Sequence, residues 1–102
     1  MKQQEQAGGA QPRLAHDEAR SQYELHLDGR LAGKAVYRRE GDRFRFTHTE
    51  IDPAHEGQGL GSRLVAFALD DVKARGLKAV PQCPFVAKYM AKHAAEYAGV
   101  LA

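Results

Sequence analysis

A run of glycines is the strongest chemical signal in this sequence: Gly57-Gln58-Gly59-Leu60-Gly61-Ser62. A strand is predicted before the run and a helix after it, and in this setting backbone N–H groups and the helix dipole bind phosphate. Glycine suits such a loop because side chains would hold the ligand's oxygens away from the main chain. A flexible loop before a helix is the alternative. The run does not match the dinucleotide-binding fingerprint, because Ser62 stands where that motif has its third glycine. It does not match the Walker loop either, because it lacks Gly-Lys-Ser/Thr.

Two titratable residues lie on the strand predicted before this loop. A period of two places Phe44, Phe46, His48 and Glu50 on one face, opposite Arg45, Thr47 and Thr49. A carboxylate at the end of an apolar face is less solvated and is therefore a stronger base, so Glu50 is the first candidate for a general base. An exposed acid or a helix cap is the alternative. His48 is a second base or relay candidate, or a structural histidine.

Cys83 is the only cysteine and directly precedes Pro84. Proline suits the first position of a helix, which places Cys83 at the N-cap with its sulfur near unpaired N–H groups. The positive end of the helix dipole would stabilise a thiolate there and make Cys83 a nucleophile. A small buried apolar side chain is the alternative.

The composition limits the classes of protein to be considered. With 102 residues the chain has the length of one domain, and 43% apolar and 27% charged residues are typical of a globular fold. The formal net charge of +2 is too small for a general polyanion binder. Arg38, Arg39, Arg43 and Arg45 flank one predicted turn, where a solvated hairpin is favoured over a nucleic-acid interface.

The same composition argues against several kinds of site and location. A single cysteine excludes an internal disulfide and a multi-cysteine metal site, and the histidines form no ligand pair with matching acids, so we expect no metal. There is no apolar run of the roughly 20 residues that a membrane span requires, and no signal-peptide pattern. We therefore expect no membrane partner and a cytoplasmic location.

The patterning predicts an α+β domain after a disordered arm. Residues 1–20 have three glutamines, a Gly-Gly pair and Leu14 as the only large aliphatic residue after Met1, which is typical of disorder. Residues 21–102 then form the domain. Strands at 23–27, at 31–38 and from Phe44 to about Ile51 make a three-stranded antiparallel meander. A helix from about Ser62 to Gly76, a strand at 77–82 and a helix from Pro84 follow.

The segment from Pro53 to Val65 resembles the acetyl-coenzyme A motif of the GCN5-related N-acetyltransferases. The segment from Val80 to Tyr89, with Thr47-His48-Thr49-Glu50, is similar to a compact single-domain subfamily. The resemblance covers about residues 21–97. It implies a small fold of this family that binds acetyl-coenzyme A as acyl donor. The cofactor-binding residues it indicates are Ile51, Gly57, Gln58, Gly59, Leu60, Gly61, Ser62 and Arg63.

The resemblance also implies roles for individual residues. The backbone of residues 57–62 would hold the coenzyme pyrophosphate, and the strand ending near Ile51 would lie beside the pantetheine arm. Glu50 corresponds to the acid that often serves as base, and Tyr89 to a helix tyrosine whose hydroxyl protonates or hydrogen-bonds the coenzyme sulfur. Packing on an apolar helical stripe is the alternative for Tyr89.

Two departures from the family pattern affect these expectations. Glu56 stands where the family's loop usually has Gln or Arg, which would place an acid near phosphate. The two helices that wall the acceptor site in larger members have no counterpart, so the acceptor side should be open. The leading hypothesis is an N-acetyltransferase acting on an accessible amine, such as a protein lysine or a polyamine. A coenzyme A-binding regulatory or sensor module is the alternative.

Overall fold

The fold is a five-stranded mixed sheet with its helices packed on the core face. This computed structural model describes residues 12–102. The strands are β1 Arg13–Asp17, β2 Gln22–Leu27, β3 Arg30–Glu40, β4 Arg43–Ile51 and β5 Lys78–Pro81. The helices are α1 Leu60–Ala74, α2 Pro84–Lys92 and the one-turn α3 Ala94–Tyr97. The sheet order is β1-β2-β3-β4-β5, with antiparallel pairing up to β4 and parallel pairing between β4 and β5.

The predicted α+β architecture is confirmed. The meander corresponds to β2, β3 and β4, and α1, β5 and α2 follow in the predicted order. Each turn of the meander contains a glycine with a positive φ, 76° at Gly29 and 66° at Gly41, which suits tight hairpins. Helix α1 begins two residues earlier than expected and ends just before Gly76, whose φ is 72°.

One apolar core joins the sheet to the helices. Tyr23 and Leu25 on β2 and Phe44 and Phe46 on β4 are fully buried against α1. The residues of α1 that face them are Leu64, Val65, Ala68, Leu69 and Val72, the stripe predicted from the sequence. Helix α2 adds Val86 and Met90 to the same core. This packing holds α1 across the strands and so positions the loop that precedes it.

The expectation of a disordered arm through residue 20 is wrong for its second half. Residues 1–11 lie outside the described residues, but Arg13–Asp17 form edge strand β1 and Glu18–Arg20 form a 3-10 turn. His16 is the anchor, because its ring stacks on Tyr23 with centroids 4.1 Å apart. Its Nε2 also hydrogen-bonds the Tyr37 hydroxyl at 2.6 Å. Ring stacking and a hydrogen bond thus attach β1 to the sheet, although this segment has almost no aliphatic side chains to pack against it.

The polar atoms of His16 and of Tyr23 also contact residues at the C-terminal end of α1. The Tyr23 hydroxyl donates to Asp71 at 2.7 Å, and Arg75 donates to the same carboxylate at 2.8 Å. The guanidinium of Arg75 also lies 3.1 Å from Nδ1 of His16. Strand β1 is therefore bound to both the sheet and the helix.

No helix within residues 12–102 is long and apolar enough to cross a membrane.

We predict that His16 makes the protein less stable in mild acid. Burial, followed by the charge of Arg75, lowers the pKa of His16 from its usual value of 6.5, while Asp71, Glu18 and Asp17 oppose this shift more weakly. The unfolded chain then binds a proton on His16 more readily than the folded chain does. The free energy of unfolding should decrease as the pH falls through about 6.5.

Urea unfolding at pH 7.5 and pH 5.5 measures this effect. The His16→Gln variant should be less stable than the wild type at pH 7.5 but should lose less stability between the two pH values. An equal loss in both proteins would show that His16 does not cause the acid sensitivity.

Candidate active site

Strands β4 and β5 pair only over the first half of β4. Arg43–Phe46 lie beside Lys78–Pro81, after which β5 ends while β4 continues to Ile51. Pro81 has no N–H to donate, so it cannot extend the ladder. The last backbone hydrogen bond between the two segments runs from the Cys83 N–H to the Phe46 carbonyl, at 2.8 Å. A gap opens beyond this bond.

A cleft of about 420 Å³ occupies this gap. Six of the predicted cofactor-binding residues line it: Ile51, Gly57, Gly59, Leu60, Gly61 and Ser62. Gln58 and Arg63 are exposed and do not line it. Thr49, His55, Glu56 and Phe85 complete the wall. The structure therefore brings the glycine loop and the end of β4 together in one cleft, and their binding of the coenzyme stays a prediction.

The glycine loop leaves a free helix N-terminus at the cleft. Gly57 and Gly59 have φ values of 82° and 74°, in the left-handed region that favours glycine. Gly59 is the N-cap of α1, and no side chain caps the helix. The first N–H with a helical partner is that of Arg63, which donates to the Gly59 carbonyl at 3.2 Å. The N–H groups of Leu60, Gly61 and Ser62 thus have no partner within the helix, and their geometry suits a phosphate.

The exposed edge of β4 forms the opposite wall. The Asp52 N–H donates to the Ala32 carbonyl at 2.7 Å, so the peptide groups of Asp52 point toward β3. Because peptide directions alternate along a strand, those of Thr49 and Ile51 point away from β3 and into the gap. The cleft therefore has free backbone hydrogen-bonding groups along one side.

The prediction that His48 and Glu50 share the face of Phe44 and Phe46 is wrong. The pairing of β3 with β4 shifts between Val36 and Tyr37, which leaves Thr47 as an extra residue on β4. Such a bulge reverses the face of every later residue. Thr49 and Ile51 consequently point toward the cleft, while His48 and Glu50 lie on the opposite face of the strand.

Glu50 is consequently a solvated acid rather than a buried base. Its side chain is 56% exposed and hydrogen-bonds Nε2 of His48. This bond, aided by the charges of His48 and Lys34, lowers the pKa of Glu50. The pair does not line the cleft and could meet a reacting group in the gap only from the face opposite α1.

Cys83 is the N-cap of α2, as predicted, but its sulfur does not cap the helix. The residue is only 6% exposed, and its Sγ donates to Oγ1 of Thr49 at 3.4 Å. The expectation of a sulfur beside free N–H groups is therefore wrong. Because Thr49 lines the cleft, the thiol lies directly behind the cleft wall.

Tyr89 lies beside the cleft rather than in it. It is half-buried on α2, with its ring 4.3 Å from that of His93. Burial, and then the charges of Glu96 and Asp70, raise the pKa of Tyr89, so its hydroxyl stays protonated at neutral pH. It lines a second depression next to the cleft. Within residues 12–102 no group of three or more side chains could together hold a metal ion.

Comparison with known proteins shows the family. The model of the GCN5-related N-acetyltransferase family matches residues 22–100. The chain belongs to this family. It is 35% identical over 85 residues to the protein NATD1 of Mus musculus, covering 80% of this chain and 76% of that protein. It is also 35% identical over 85 residues to NATD1 of Homo sapiens, and this match covers 80% of this chain and 74% of that protein.

Solved structures share the fold at lower identity. A GCN5-like protein of Staphylococcus aureus superposes with a TM-score of 0.64 at 21% identity, covering 88% of this chain and 87% of the other. The ribosomal-protein-S18-alanine N-acetyltransferase of Escherichia coli gives a TM-score of 0.58 at 22% identity. That match covers 72% of this chain but only 50% of the enzyme. The N-acetyltransferase fold of the chain is thereby confirmed.

We predict that the Cys83 thiol is protected in the folded protein. With 6% exposure and a contact to Thr49, it should react with iodoacetamide at least roughly tenfold more slowly than the same thiol in urea. Thr49→Ala, which opens the wall in front of the sulfur, should accelerate the reaction. Thr49→Ser, which keeps the hydroxyl, is the matched control. Equal rates in the folded and unfolded wild type would contradict the burial of this thiol.

Proposed function

We propose that the protein is an acetyl-coenzyme A-dependent N-acetyltransferase whose coenzyme binds in the cleft between β4 and α2. One observation carries this proposal: β4 and β5 separate where an uncapped helix N-terminus faces the gap. The separation supplies free backbone groups on one side, and the glycine loop supplies phosphate donors on the other. Membership of the N-acetyltransferase family supports this use of the cleft.

The loop would hold the pyrophosphate. Charge-assisted hydrogen bonds from the N–H groups of Leu60, Gly61 and Ser62 would each contribute roughly 1.5–3 kcal/mol when well placed. Glu56 works against this attraction, because its acid lines the same cleft. The free peptide groups of Thr49 and Ile51 would pair with the amides of the pantetheine arm. The thioester would then lie toward the closed end of the gap, near Thr49 and Cys83.

The acceptor amine would approach from the face of β4 opposite the core. His48 and Glu50 are exposed there. The connection between β1 and β2 is a short 3-10 turn instead of the two helices that wall the acceptor site in larger members. An open face of this kind suits an amine carried on a large or flexible molecule, such as a protein lysine or a polyamine.

The reaction we propose is direct attack by the amine. The neutral amine nitrogen would form a bond to the thioester carbonyl carbon, and the carbon–sulfur bond would break to release the coenzyme thiolate. Glu50 would accept the proton lost by the nitrogen, with His48 bound to it as a relay. The lowered pKa of Glu50 keeps its carboxylate ionised at neutral pH but makes it a weak base.

Cys83 offers a covalent variant of this reaction. Its thiolate would take the acetyl group from the coenzyme and then pass it to the amine. The thiol lies behind Thr49 and is only 6% exposed, so this route requires the Thr49 side chain to move aside before the sulfur can reach a thioester in the gap. An acetyl group found on Cys83 by mass spectrometry would distinguish this route from direct attack.

A coenzyme A-binding sensor with little turnover is the second candidate. It is favoured by the exposed, low-pKa Glu50 and by the acid at position 56. Single-turnover transfer to an added amine separates the two functions, because a sensor would bind coenzyme A without acetylating the amine.

We predict that Gly59→Val weakens coenzyme binding. Gly59 has a φ of 74°, which a β-branched residue cannot adopt without strain, so the loop would change shape and misplace its N–H groups. Loss of one or two well-placed hydrogen bonds should weaken the affinity for coenzyme A by roughly tenfold or more. Titration calorimetry measures this. Gly41→Val, at a φ of 66° in the hairpin at the other end of β4 from the cleft, is the matched control. Equal affinity of Gly59→Val and the wild type would place the coenzyme elsewhere.

We predict that Glu50→Gln slows acetyl transfer and leaves coenzyme affinity unchanged. Glu50 faces away from the cleft, so its charge contributes to proton transfer rather than to coenzyme binding. A positioned general base contributes typically 10²- to 10⁴-fold to the rate. Single-turnover rates followed by intact mass would show the loss. Asp42→Asn, at the other end of β4, controls for the removal of one acidic charge. An effect below about threefold would leave Glu50 as a structural acid.

A further inference from the structure

Three of the four arginines around the β3–β4 turn point away from the core. Arg43 and Arg45 alternate along β4 with buried phenylalanines, so their side chains lie on the opposite face of the sheet. Arg38 is the cross-strand partner of Arg45 and shares this face. Arg39 does not, because its guanidinium lies over the buried ring of Phe44, 5.7 Å from the centroid. Arg38, Arg43 and Arg45 together form the arginine patch.

The positive charge of the arginine patch is only partly neutralised. Glu40 accepts hydrogen bonds from Nε and Nη2 of Arg45 at 3.0–3.1 Å. Within the described residues, no carboxylate lies within 4.0 Å of the guanidinium of Arg38 or Arg43. Residues 38–45 contain four arginines and two acids, a net charge of +2. Like charges directly opposite each other destabilise a sheet, so the fold gains nothing from placing Arg38 beside Arg45.

The same face of the sheet has the opposite charge at the other end of β4. Glu50 is exposed there, its cross-strand partner on β3 is Lys34, and the next residue in this row is Glu24 on β2. The hydrogen bond from Gln22, aided by one from His26, lowers the pKa of Glu24 against the opposing effect of burial. Two carboxylates and one ammonium group give the row a net charge of −1. The face therefore changes sign along β4.

The arginine patch lies a short length of peptide away from the proposed site of acetyl transfer. Arg45 precedes Glu50 by five positions, one of which is the bulge residue Thr47. The remaining four steps span about 13 Å at about 3.3 Å per residue. An extended peptide covers this distance with about four of its own residues. A peptide whose lysine amine is at Glu50 can therefore reach the patch with residues that flank the lysine.

The change of sign along β4 favours one kind of acceptor over two others. A polyamine is positive along its whole length and would be repelled by the arginine patch. A nucleic acid is negative along its whole length and would be repelled by Glu50 and Glu24. A peptide with a lysine at one point and acidic residues farther along complements both charges.

We infer that the acceptor is a lysine in a protein segment with acidic residues about four positions away, and that the arginine patch binds these acids. The inference rests on the proposed function, because it places the reacting amine at Glu50. Arg38 is the principal contact, since its planar guanidinium can bind a carboxylate through two parallel hydrogen bonds. The patch binds the acceptor far from the reacting atoms, so it lowers the KM for the acceptor and leaves kcat unchanged.

Acetylation of three synthetic peptides tests this inference. Each peptide has a blocked N-terminus and a single central lysine. The residues three to five positions away on both sides are glutamates in the first peptide, glutamines in the second and arginines in the third. With the wild type at low salt, the glutamate peptide should have a kcat/KM roughly fivefold or more above that of the glutamine peptide. The arginine peptide should be the poorest acceptor, and high salt should reduce the differences.

Reversing one charge of the patch should reverse this preference. In Arg38→Glu the arginine peptide should become a better acceptor than the glutamate peptide. Arg30→Glu is the matched control, because Arg30 is exposed at the other end of β3 and its cross-strand partner is Leu27 of the core. This control should keep the wild-type order of the peptides. A reversal in the control as well would assign the effect to net charge and overturn the inference.

The remaining outcomes separate the inference from the proposed function. Equal kcat/KM values for the three peptides, or an unchanged order in Arg38→Glu, would overturn the inference and leave the acetyltransferase in place. Spermidine acetylated faster than the glutamate peptide would make the acceptor a polyamine. Binding of a single-stranded RNA oligonucleotide that Arg38→Glu abolishes would assign the patch to nucleic acid. If coenzyme A binds but neither peptide nor spermidine is acetylated in a single turnover, the proposed transferase fails and the inference fails with it.

Discussion

The separation of β4 from β5 is the constraint on which the candidate site depends. Two local features produce it: Pro81 cannot donate to the ladder, and the bulge at Thr47 turns β4 at the same level. Without them β5 could continue along β4, and the groups that now face the gap would be hydrogen-bonded within the sheet. The cleft exists because the sheet leaves part of one strand unpaired.

The bulge at Thr47 also determines which side chains of β4 lie on each face of the sheet. Before it, Phe44 and Phe46 belong to the core; after it, Thr49 and Ile51 face the cleft and Glu50 faces solvent. A regular strand would instead have directed His48 and Glu50 into the cleft, beside the glycine loop. The one-residue shift in β4 keeps the Glu50 carboxylate away from any polyanion in the cleft. It leaves the carboxylate accessible to a cationic ligand on the opposite face.

Most of the architecture could be predicted from the sequence, because the meander, α1, β5 and α2 all have regular apolar patterns and glycine or proline boundaries. Strand β1 could not, since His16 attaches it through ring stacking and hydrogen bonds that hydrophobic periodicity does not detect. The bulge at Thr47 escaped prediction for another reason. The alternation around it looks uninterrupted, and only the pairing with β3 reveals the extra residue. The glycine loop lies between β4 and α1, as predicted, whereas Phe85, half-exposed at the cleft, was not among the predicted site residues.

The parallel pairing of β4 with β5 has a consequence for the order in which the molecule assembles. The β2–β3 and β3–β4 hairpins join neighbouring segments over tight turns, whereas β5 reaches β4 only after the whole of α1 has been laid across the sheet. Contacts between distant parts of a chain carry a larger entropic cost of loop closure and tend to form late. The meander is thus the natural nucleus, and the gap between the two strands is completed in the final docking step. Any molecule that bridges this gap would act mainly by slowing the unfolding reaction, because its contacts are absent from the transition state.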